Sequence, residues 1–491
     1  MKIYGVPRNT EETAAPTTAL PTQSREFLHA KFKDRIIHNP LLDRTLVSFQ
    51  ANKRTPFYSW FKYKEGFSQR LVLYLLEQLW QRPPGVLLDP FAGAGAALFA
   101  AKERGWQTQG IEVLPVGIYA MQARLAASRV DVPMFEAAVG DLAALDFSEC
   151  DAGGHRLDHI AITQGAFPEE EERQLTGYLA FCYQQAMNED VRALLLFAAF
   201  SILEEISYTR KDGQYLRWDY RSGRSQGKEP FDKGRIRPFR EAIEAKLALI
   251  LNDLRGGEAQ GRLFAEDRAA EQSKIEPEIY EGSCLELLPE MQTASIDFVL
   301  TSPPYANRYD YTRTYALELV YLGSDHENVK RLRQAMLSCT VENKTKREQL
   351  RQHYALLGRS HDFEFVNQTF EQQAAIQEVL GVLNGYRDAG KLNNPNITRL
   401  VQNYFYEMCF VVFELSRVMR QGGIVALVND NVRYAGEEVP VDLILSDVAE
   451  RFGLNTRHIW TLGRGKGNSS QQMGNHGRSE LRKCIYVWEK L

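Results

Sequence analysis

The sequence has few cysteines, and their arrangement is not that of a zinc-binding protein. The six cysteines are scattered, none forms a C-x-x-C pair, and no group of Cys and His residues has the spacing of zinc ligands. No apolar run approaches the roughly 18 residues that a membrane-spanning helix needs. The N-terminal segment also lacks the apolar stretch of a secretory signal. We therefore expect a cytoplasmic protein with reduced thiols, no metal site and no membrane segment.

The sequence also lacks a large excess of positive or negative charge. The net charge is −4, and 25% of the 491 residues are charged while 44% are hydrophobic. This balance is typical of a globular chain that is long enough for about two to four domains. Because the chain as a whole is not basic, a surface for a polyanion has to be a local one.

A strand, a glycine-rich turn, a helix and a second strand follow one another early in the chain. Residues 86–88 are a short apolar run and residues 109–113 predict a second short strand, and between them lie DPFAGAG (89–95) and a helix-favouring stretch at 96–104. This order predicts a β-turn-α-β unit, which begins a doubly wound parallel sheet. We therefore assign the chain to the α/β class. Further strands are expected at 279–282, 295–301 and 422–430, with a closing pair at 458–464 and 483–490.

Composition divides the chain into four parts. The sheet-forming segments at 31–130 and 275–491 are expected to build one catalytic domain. The first 30 residues, rich in Thr, Ala and Pro, predict a flexible arm. Residues 131–274 form a helical and basic insertion, and residues 325–400 form a second helical insertion within the catalytic domain.

The turn DPFAGAG has the features of a cofactor site. Gly93 and Gly95 can adopt backbone angles that bring the chain close to a ligand, and the next helix directs free N–H groups to the same place. Asp89 at the strand tip can hold a charged amine or a water, and Glu112 is placed to bridge ribose hydroxyls. No GxGxxG or GK[ST] motif is present to bind phosphates. A cationic cofactor, S-adenosylmethionine, therefore suits this turn; the alternative is a tight turn without a ligand.

The segment TSPPY (301–305) predicts a rigid corner at the end of a strand. Prolines donate no N–H, so the Pro303 carbonyl and the Ser302 hydroxyl are available to accept hydrogen bonds from an exocyclic amine. Tyr305 offers a flat face on which a base can stack. The alternative is a buried turn with a core tyrosine. The catalytic candidates are Ser302, Pro303, Pro304 and Tyr305.

Together the two segments resemble the motifs of DNA amino-methyltransferases, which methylate cytosine N4 or adenine N6. Residues 89–95 match the family's cofactor motif D-P-F-x-G-x-G, and residues 302–305 match its catalytic motif [DNS]-P-P-[YFW]. The resemblance implies a class I S-adenosylmethionine-dependent methyltransferase fold, Rossmann-like with a closing antiparallel strand. It also implies double-stranded DNA as the substrate, with the target base flipped out of the duplex. Serine at the first place favours cytosine N4, because adenine enzymes more often carry Asp or Asn there.

The resemblance also assigns cofactor contacts. KEGFSQRLV (64–72) is similar to the segment whose Phe contacts the cofactor's methionine moiety. Many relatives carry a Gly-Asp pair where this chain has Gly282-Ser283, and a Gly-Asp pair occurs instead at Gly140-Asp141. Either pair could contact the adenine, and we favour the later one. The expected cofactor residues are Phe67, Ser68, Asp89, Pro90, Phe91, Gly93, Gly95, Glu112, Ser283 and Cys284.

A basic and aromatic block in the first insertion is the candidate surface for DNA. Residues 206–240 contain ten Lys or Arg and four acidic residues, and such a block can follow phosphates and read guanine edges. The alternative is a solvated charged loop. The glycine-rich loop at 463–478 is a second candidate. The expected DNA contacts are Arg217, Trp218, Tyr220, Arg221 and Arg224.

Two other functions remain open from the sequence. Related Pro-Pro-Tyr corners serve RNA and protein amine methyltransferases, although those usually carry Asn or Asp at the first place. A non-catalytic nucleic-acid-binding scaffold is the other alternative, and the intact DPFAGAG and TSPPY segments argue against it. A nuclease partner in restriction or phage defence is a further expectation from the resemblance.

Overall fold

The computed structural model describes residues 22–150, 154–212, 215–224, 229–263, 275–463 and 481–491. Strands and helices alternate along much of the catalytic domain, as in other α/β proteins. The strands of this described part are β1 (Ile36–His38), β2 (Val86–Asp89), β3 (Gln107–Glu112), β4 (Thr209–Asp212), β5 (Tyr215–Trp218), β6 (Glu278–Glu281), β7 (Ile296–Thr301), β8 (Met419–Asp430), β9 (Val432–Tyr434), β10 (Glu437–Val439), β11 (Leu454–Thr461) and β12 (Lys483–Lys490).

The helices fall into groups before, within and after the two insertions. Short 3-10 turns at Lys33–Arg35, Phe49–Arg54, Phe147–Glu149, Tyr220–Ser222 and Leu288–Glu290 separate some of them. The α-helices are α1 (Gln23–Phe32), α2 (Gln69–Leu79), α3 (Ala96–Lys102), α4 (Pro115–Arg129), α5 (Val132–Ala143), α6 (Glu169–Gln184), α7 (Glu189–Ile206), α8 (Phe239–Leu263), α9 (Cys284–Leu287), α10 (Tyr311–Thr314), α11 (Ala316–Tyr321), α12 (His326–Ala335), α13 (Arg347–Leu356), α14 (Ser360–Gln372), α15 (Ala374–Asp388), α16 (Ile397–Val418) and α17 (Val441–Arg451).

One eight-stranded sheet organises the catalytic domain. Its strand order is β1-β11-β12-β8-β7-β2-β3-β6, and β12 is antiparallel to both of its neighbours while the other pairs are parallel. This confirms the expected α/β fold with a closing antiparallel strand. Strand β1 was not expected, because the three residues of Ile36–His38 are too short to leave a pattern. The strand order brings the carboxyl ends of β2, β3, β7 and β8 to one edge, where ligands bind in such folds.

Helices cover both faces of the sheet. Leu88 and Val299 pack with α16 and α17 on one face, whereas Leu87 and Phe298 pack with α2 and α3 on the other. Successive residues of a strand point to opposite faces, so an apolar run is what a strand buried on both sides requires. Strands β2 and β7 are therefore short apolar runs because helices cover both faces of the sheet.

The first insertion shares its core with the catalytic domain. Buried residues of α5 to α8 pack in one cluster with α4 and α11 and with Trp60 and Phe61. The β4-β5 hairpin is a separate two-stranded ribbon. Trp60 and Phe61 precede the glycine-rich turn at 89–95 in sequence. The insertion therefore packs against the segment of the catalytic domain that leads to this turn.

The N-terminal helix corrects one boundary of the sequence analysis. Residues 23–30 were assigned to the arm on composition, but they belong to α1. Leu28 and Phe32, four residues apart, are buried in the main core, and the Arg25 guanidinium pairs with Glu378 at 2.6 Å. Burial of an i, i+4 apolar pair is enough to recruit a short helix onto the domain. Residues 1–21 lie outside the described part of the chain.

In the described part of the chain, no helix combines the length and the apolar character needed to cross a membrane. In the same part, no group of three or more His, Cys, Asp or Glu side chains is arranged to hold a metal ion.

Candidate active site

Asp89 links the two sequence motifs directly. Strands β2 and β7 are parallel neighbours, with Leu88 opposite Val299, so the ends of both strands meet at one edge of the sheet. There the Thr301 hydroxyl donates a hydrogen bond of 2.6 Å to Asp89, and the Phe91 N–H donates another of 3.1 Å. Asp89 is buried, and its burial raises the pKa to about 7. Thr301 lies two residues before Pro303, so the Pro-Pro corner and the glycine turn are adjacent.

The glycine turn has the backbone that the sequence requires. Gly93 and Gly95 have φ values of 53° and 77°, in the left-handed region that favours glycine, and Gly95 is the N-cap residue of α3. A Cβ on Gly93 would lie 2.9 Å from the ring of Tyr63. The turn is therefore both conformationally restricted to glycine and closely covered by an aromatic ring.

Glu112 at the end of β3 holds the turn from the other side. Its carboxylate accepts hydrogen bonds from the N–H groups of Gly93 at 2.7 Å, Val113 at 2.9 Å and Leu114 at 2.7 Å. Burial raises the pKa of Glu112, and these backbone bonds oppose the shift. A carboxylate has about four acceptor sites, so one remains for a ligand hydroxyl. Glu112 thus has a positioning role that sequence reasoning did not foresee.

A third neighbouring strand, β6, brings one of the two candidate pairs to the cavity. Gly282, Ser283 and Cys284 follow β6, and all three line the same cavity as Gly93. Gly140 and Asp141 lie instead on α5 with exposed side-chain positions, away from that cavity. The Gly-Asp pair at 140–141 is therefore not at the site, because it belongs to a helix rather than to a strand end. The Ser283 hydroxyl donates to the Ala335 carbonyl at 2.9 Å.

The Pro-Pro corner contributes Ser302 and Pro304 to the wall of the cavity. Pro303 is buried, and Tyr305 is half-buried beside Lys483, whose ammonium lies 5.7 Å from the centre of the Tyr305 ring. The Ser302 hydroxyl donates a long hydrogen bond of 3.4 Å to the Tyr305 hydroxyl. This bond occupies the serine proton and leaves its oxygen lone pairs free to accept.

The cavity joins these segments into one site. Its empty volume, which includes space open to solvent, is about 1130 Å³. The predicted residues that line it come from five separate stretches of sequence. These residues are Phe67, Asp89, Pro90, Phe91, Gly93, Glu112, Ser283, Cys284, Ser302 and Pro304.

The segment around Phe67 is held in place by two polar side chains. Asn52 donates to the Phe67 carbonyl at 3.2 Å and accepts from the Gln69 N–H at 3.0 Å. Ser68 is the N-cap of α2, where its hydroxyl accepts from the Leu71 N–H at 3.2 Å. Phe67 therefore faces the cavity, while fully buried Ser68 serves the helix start.

Sequence reasoning missed a group of residues just before Phe67. Tyr63 and Glu65 line the cavity, and the Tyr63 ring stacks on Tyr315 with the ring centres 5.2 Å apart. One Glu65 carboxylate oxygen accepts from the Tyr315 hydroxyl at 2.5 Å. The other oxygen is buried and makes no well-aligned hydrogen bond within the described part of the chain, although the Tyr309 hydroxyl is near. The only available signal was the position of Glu65 two residues before Phe67.

The second insertion supplies one wall of the cavity. Ala335, Met336 and Leu337 line it. The next residue, Ser338, donates its N–H to the Glu407 carboxylate at 2.7 Å, and the Lys346 ammonium lies 2.9 Å from the same carboxylate. The side chains of this ion pair are only 6% and 1% exposed. A buried ion pair therefore fixes the wall to α16.

We expect Lys346→Met to lower the free energy of unfolding by about 3–5 kcal/mol, because it leaves the Glu407 carboxylate buried without its partner. The double variant Lys346→Met/Glu407→Leu removes both charges and should recover part of that loss. Urea unfolding followed by circular dichroism measures both. Equal destabilisation by the single and double variants would contradict this explanation.

The predicted DNA contacts are only partly exposed. Trp218 is 2% exposed and packs in the core of the insertion, so its ring does not face solvent; an aromatic residue within a basic block was misread as a surface residue. Arg224 lies over the Trp218 ring at 4.2 Å, and Arg221 forms a two-point ion pair with Asp219. Tyr220 is 56% exposed, and Arg217 pairs with Asp212 at 3.4 Å. The loop candidate at 463–478 lies, apart from residue 463, outside the described residues.

A parallel sheet with one inserted antiparallel strand, with a glycine turn and a strand-end carboxylate at its ligand-binding edge, is the class I methyltransferase fold. Sequence comparison places the chain more narrowly: it belongs to the type II methyltransferases. It is 44% identical over 94% of its length to the type II methyltransferases M.AvaI of Nostoc sp. strain PCC 7120 and of Anabaena variabilis, covering 92% of each. It is 38% identical over 96% of its length to the type II methyltransferase M.BsoBI of Geobacillus stearothermophilus, covering 92% of it. No family model and no solved structure matches the chain significantly.

Proposed function

We propose that the chain transfers the methyl group of S-adenosylmethionine to the exocyclic amine of a flipped-out base in double-stranded DNA. Cytosine N4 is favoured over adenine N6. The observation that carries the proposal is the hydrogen bond from Thr301 to Asp89. It joins the strand that ends in the acceptor-rich corner to the strand that ends in the glycine turn, so that amine and cofactor would meet in one cavity.

The residues of the cavity fit a cofactor that carries positive charge. Asp89, Glu112 and Glu65 line it, and burial raises the pKa of each carboxyl group. One buried carboxylate oxygen of Glu65 makes no well-aligned hydrogen bond within the described part of the chain, so a ligand or the nearby Tyr309 hydroxyl would lower the cost of its burial by donating to it. Glu112 would accept a hydrogen bond from a ribose hydroxyl, and Phe67 with the 93–95 turn would contact the methionine moiety. When bound, S-adenosylmethionine supplies a methyl group on a positively charged sulfur.

The corner residues would position the attacking nitrogen. The Ser302 oxygen and the Pro303 carbonyl accept hydrogen bonds from the two amine hydrogens, which holds the nitrogen lone pair in one direction. The proline-rich backbone presents no competing N–H donor there. Methyl transfer from a sulfonium needs alignment and proximity above all, so fixed acceptors on a rigid corner are the main contribution of the protein.

The preference for cytosine is supported by Ser302 at the first place of the motif, where adenine enzymes more often carry Asp or Asn. Stacking on Tyr305 would compensate the flipped base for the stacking that it loses in the duplex. The membership in the type II methyltransferases supports a role beside a restriction nuclease that acts on the same DNA.

Transfer of labelled methyl groups tests this function against its nearest alternatives. The purified chain, incubated with tritiated S-adenosylmethionine, is expected to label plasmid DNA but neither bulk RNA nor bulk protein. Label in RNA or in protein with none in DNA would replace the proposal with an RNA or protein amine methyltransferase. No label in any of the three substrates would favour a non-catalytic scaffold.

The raised pKa of Asp89 predicts that cofactor affinity depends on pH. A cationic ligand binds the carboxylate form, but burial raises the pKa of Asp89 to about 7. Below that pH the unliganded protein must release a proton on binding. The affinity for S-adenosylmethionine should therefore be nearly constant above about pH 8 and fall by up to about tenfold for each pH unit below about pH 7.

Calorimetry on the wild type and on Asp89→Asn at several pH values isolates the contribution of Asp89 to the pH dependence of the affinity. The other carboxyl groups and the amine of the ligand titrate in both proteins, so their contributions are common to both. The variant should bind more weakly at high pH and show a flatter pH dependence. An unchanged pH dependence in Asp89→Asn would contradict the assignment of the titration to Asp89.

A further inference from the structure

A second cavity lies between the first insertion and the segment of the catalytic domain that contains Phe61 and Lys62. It has an empty volume of about 930 Å³, including open space, and it is strongly basic. Six of the residues that line it are Lys or Arg and two are Glu, whereas the whole chain carries a net charge of −4. We call it the basic cleft. Its lining residues are Phe61, Lys62, Ser201, Glu204, Glu205, Arg210, Lys211, Lys233, Arg235 and Arg237.

We infer that the basic cleft binds the sugar-phosphate backbone of double-stranded DNA beside the active site. This inference rests on the proposed function and names the surface that would hold the substrate. It assigns the backbone contacts to Lys62, Arg210 and Arg235 instead of to Trp218, which is buried, and Arg224, which lies over the Trp218 ring.

The charges of the cleft are incompletely balanced. Arg210 and Arg217 are directly opposite each other on the β4-β5 hairpin, and both guanidinium groups lie near the Phe231 ring, at 5.3 Å and 4.1 Å. Like charges opposite each other on a hairpin are destabilising. A bound anion would relieve that repulsion, as it does where proteins neutralise DNA phosphates.

The acidic residues of the cleft do not cancel this charge. Glu204 pairs with Lys62 at 3.2 Å, and Glu205 pairs with Arg237 at 2.6 Å. Arg210 donates to the Lys233 carbonyl at 2.9 Å, which leaves its charge without a carboxylate among the described residues. The Arg235 side chain is 70% exposed and pairs with Glu241. Exposed pairs of this kind contribute little and exchange readily for a phosphate.

The floor of the cleft is continuous with the wall of the active site. Phe61 lines both cavities. The Lys211 ammonium lies 5.0 Å from the Phe61 ring and 4.6 Å from the Tyr315 ring, and it pairs with buried Glu318. Tyr315 in turn stacks on Tyr63, which covers Gly93. A duplex bound along the cleft would thus lie next to the cavity that must receive its flipped base.

The test replaces three exposed cations of the cleft at once, in Lys62→Gln/Arg210→Gln/Arg235→Gln. The matched control, Arg173→Gln/Lys330→Gln/Arg351→Gln, removes the same net charge from helices α6, α12 and α13. Like Lys62 and Arg235, the three control cations are exposed and each pairs with a Glu. Binding is measured by fluorescence anisotropy with a labelled random-sequence DNA duplex, and with an RNA duplex of the same sequence, over a range of salt concentrations.

We expect the cleft variant to bind DNA about 10- to 100-fold more weakly at low salt. Its plot of log affinity against log salt should be less steep by about 0.9 for each phosphate that the variant no longer neutralises. The control should bind like the wild type, and S-adenosylmethionine affinity should be unchanged in both. Equal weakening in both variants, unchanged binding in the cleft variant, or tighter binding of RNA than of DNA would each overturn the inference. Wild-type methyl transfer to DNA is scored separately, so its absence would refute the proposed function instead.

Discussion

Tyr305→Ala is expected to lower the rate of methyl transfer to DNA by about 30- to 900-fold while leaving S-adenosylmethionine affinity within about twofold of the wild type. Stacking of a base on an aromatic side chain contributes about 1–3 kcal/mol, which is about 5- to 150-fold. The variant also removes the hydroxyl that accepts the hydrogen bond of Ser302, a further ~1 kcal/mol. Single-turnover kinetics with plasmid DNA gives the rate, and calorimetry gives the cofactor affinity.

Tyr305→Phe is the matched control, because it keeps the ring and removes only the hydroxyl. We expect it to be slower than the wild type by about fivefold, the cost of one neutral hydrogen bond. If Tyr305→Phe were as slow as Tyr305→Ala, the hydroxyl rather than the ring would carry the effect. If cofactor affinity fell together with the rate, Tyr305 would belong to the cofactor site and the separation of roles would be wrong.

Glu112→Gln is expected to weaken S-adenosylmethionine binding by about 10- to 100-fold. A hydrogen bond to a charged group contributes about 1.5–3 kcal/mol. In this variant an amide NH₂ replaces one of the oxygens that accept from the backbone N–H groups of Gly93, Val113 and Leu114. Two donors would then face each other, so the glycine turn itself loses its support. Titration calorimetry of the folded variant measures the change.

Two comparisons separate the ribose contact from this support of the turn. Glu281→Gln changes an exposed carboxylate at the end of the neighbouring strand β6 and should leave the affinity unchanged. The wild type should also bind S-adenosylhomocysteine more tightly than its 2′-deoxyribose analogue, whereas Glu112→Gln should discriminate little between them. Equal discrimination by both proteins would show that Glu112 supports the turn but does not contact the ribose.

The catalytic half of the fold was predictable because its local signals agree with its tertiary structure. The apolar runs of β2 and β7 are buried on both faces, and the glycines of the 93–95 turn have the backbone angles that only glycine adopts easily. The edge strand β1 was missed because three residues are too few to show the alternation of apolar and polar side chains that marks a strand. The start of α1 was missed because its stability comes from burying Leu28 and Phe32 on distant helices.

The candidate site was predictable where one segment carries a complete motif and was missed where distant segments meet. Glu65 and Tyr63 line the cavity together with residues 335–337 of the second insertion, which are more than 260 residues away in sequence. No local pattern records such a contact. Trp218 shows the opposite error. The basic residues around it suggested an exposed side chain, but its ring is buried in the core of the first insertion.

The most direct test of the central claim, amine methylation at the Ser302–Tyr305 corner, is mass spectrometry of nucleosides from cells that express the chain. The proposal predicts N4-methylcytosine in genomic and plasmid DNA, and far less of it in cells that express Tyr305→Ala. N6-methyladenine would preserve the amine chemistry but overturn the preference for cytosine. Methylation of a ring carbon, such as 5-methylcytosine, would contradict the proposal, because an acceptor-rich corner that orients an amine does not activate carbon.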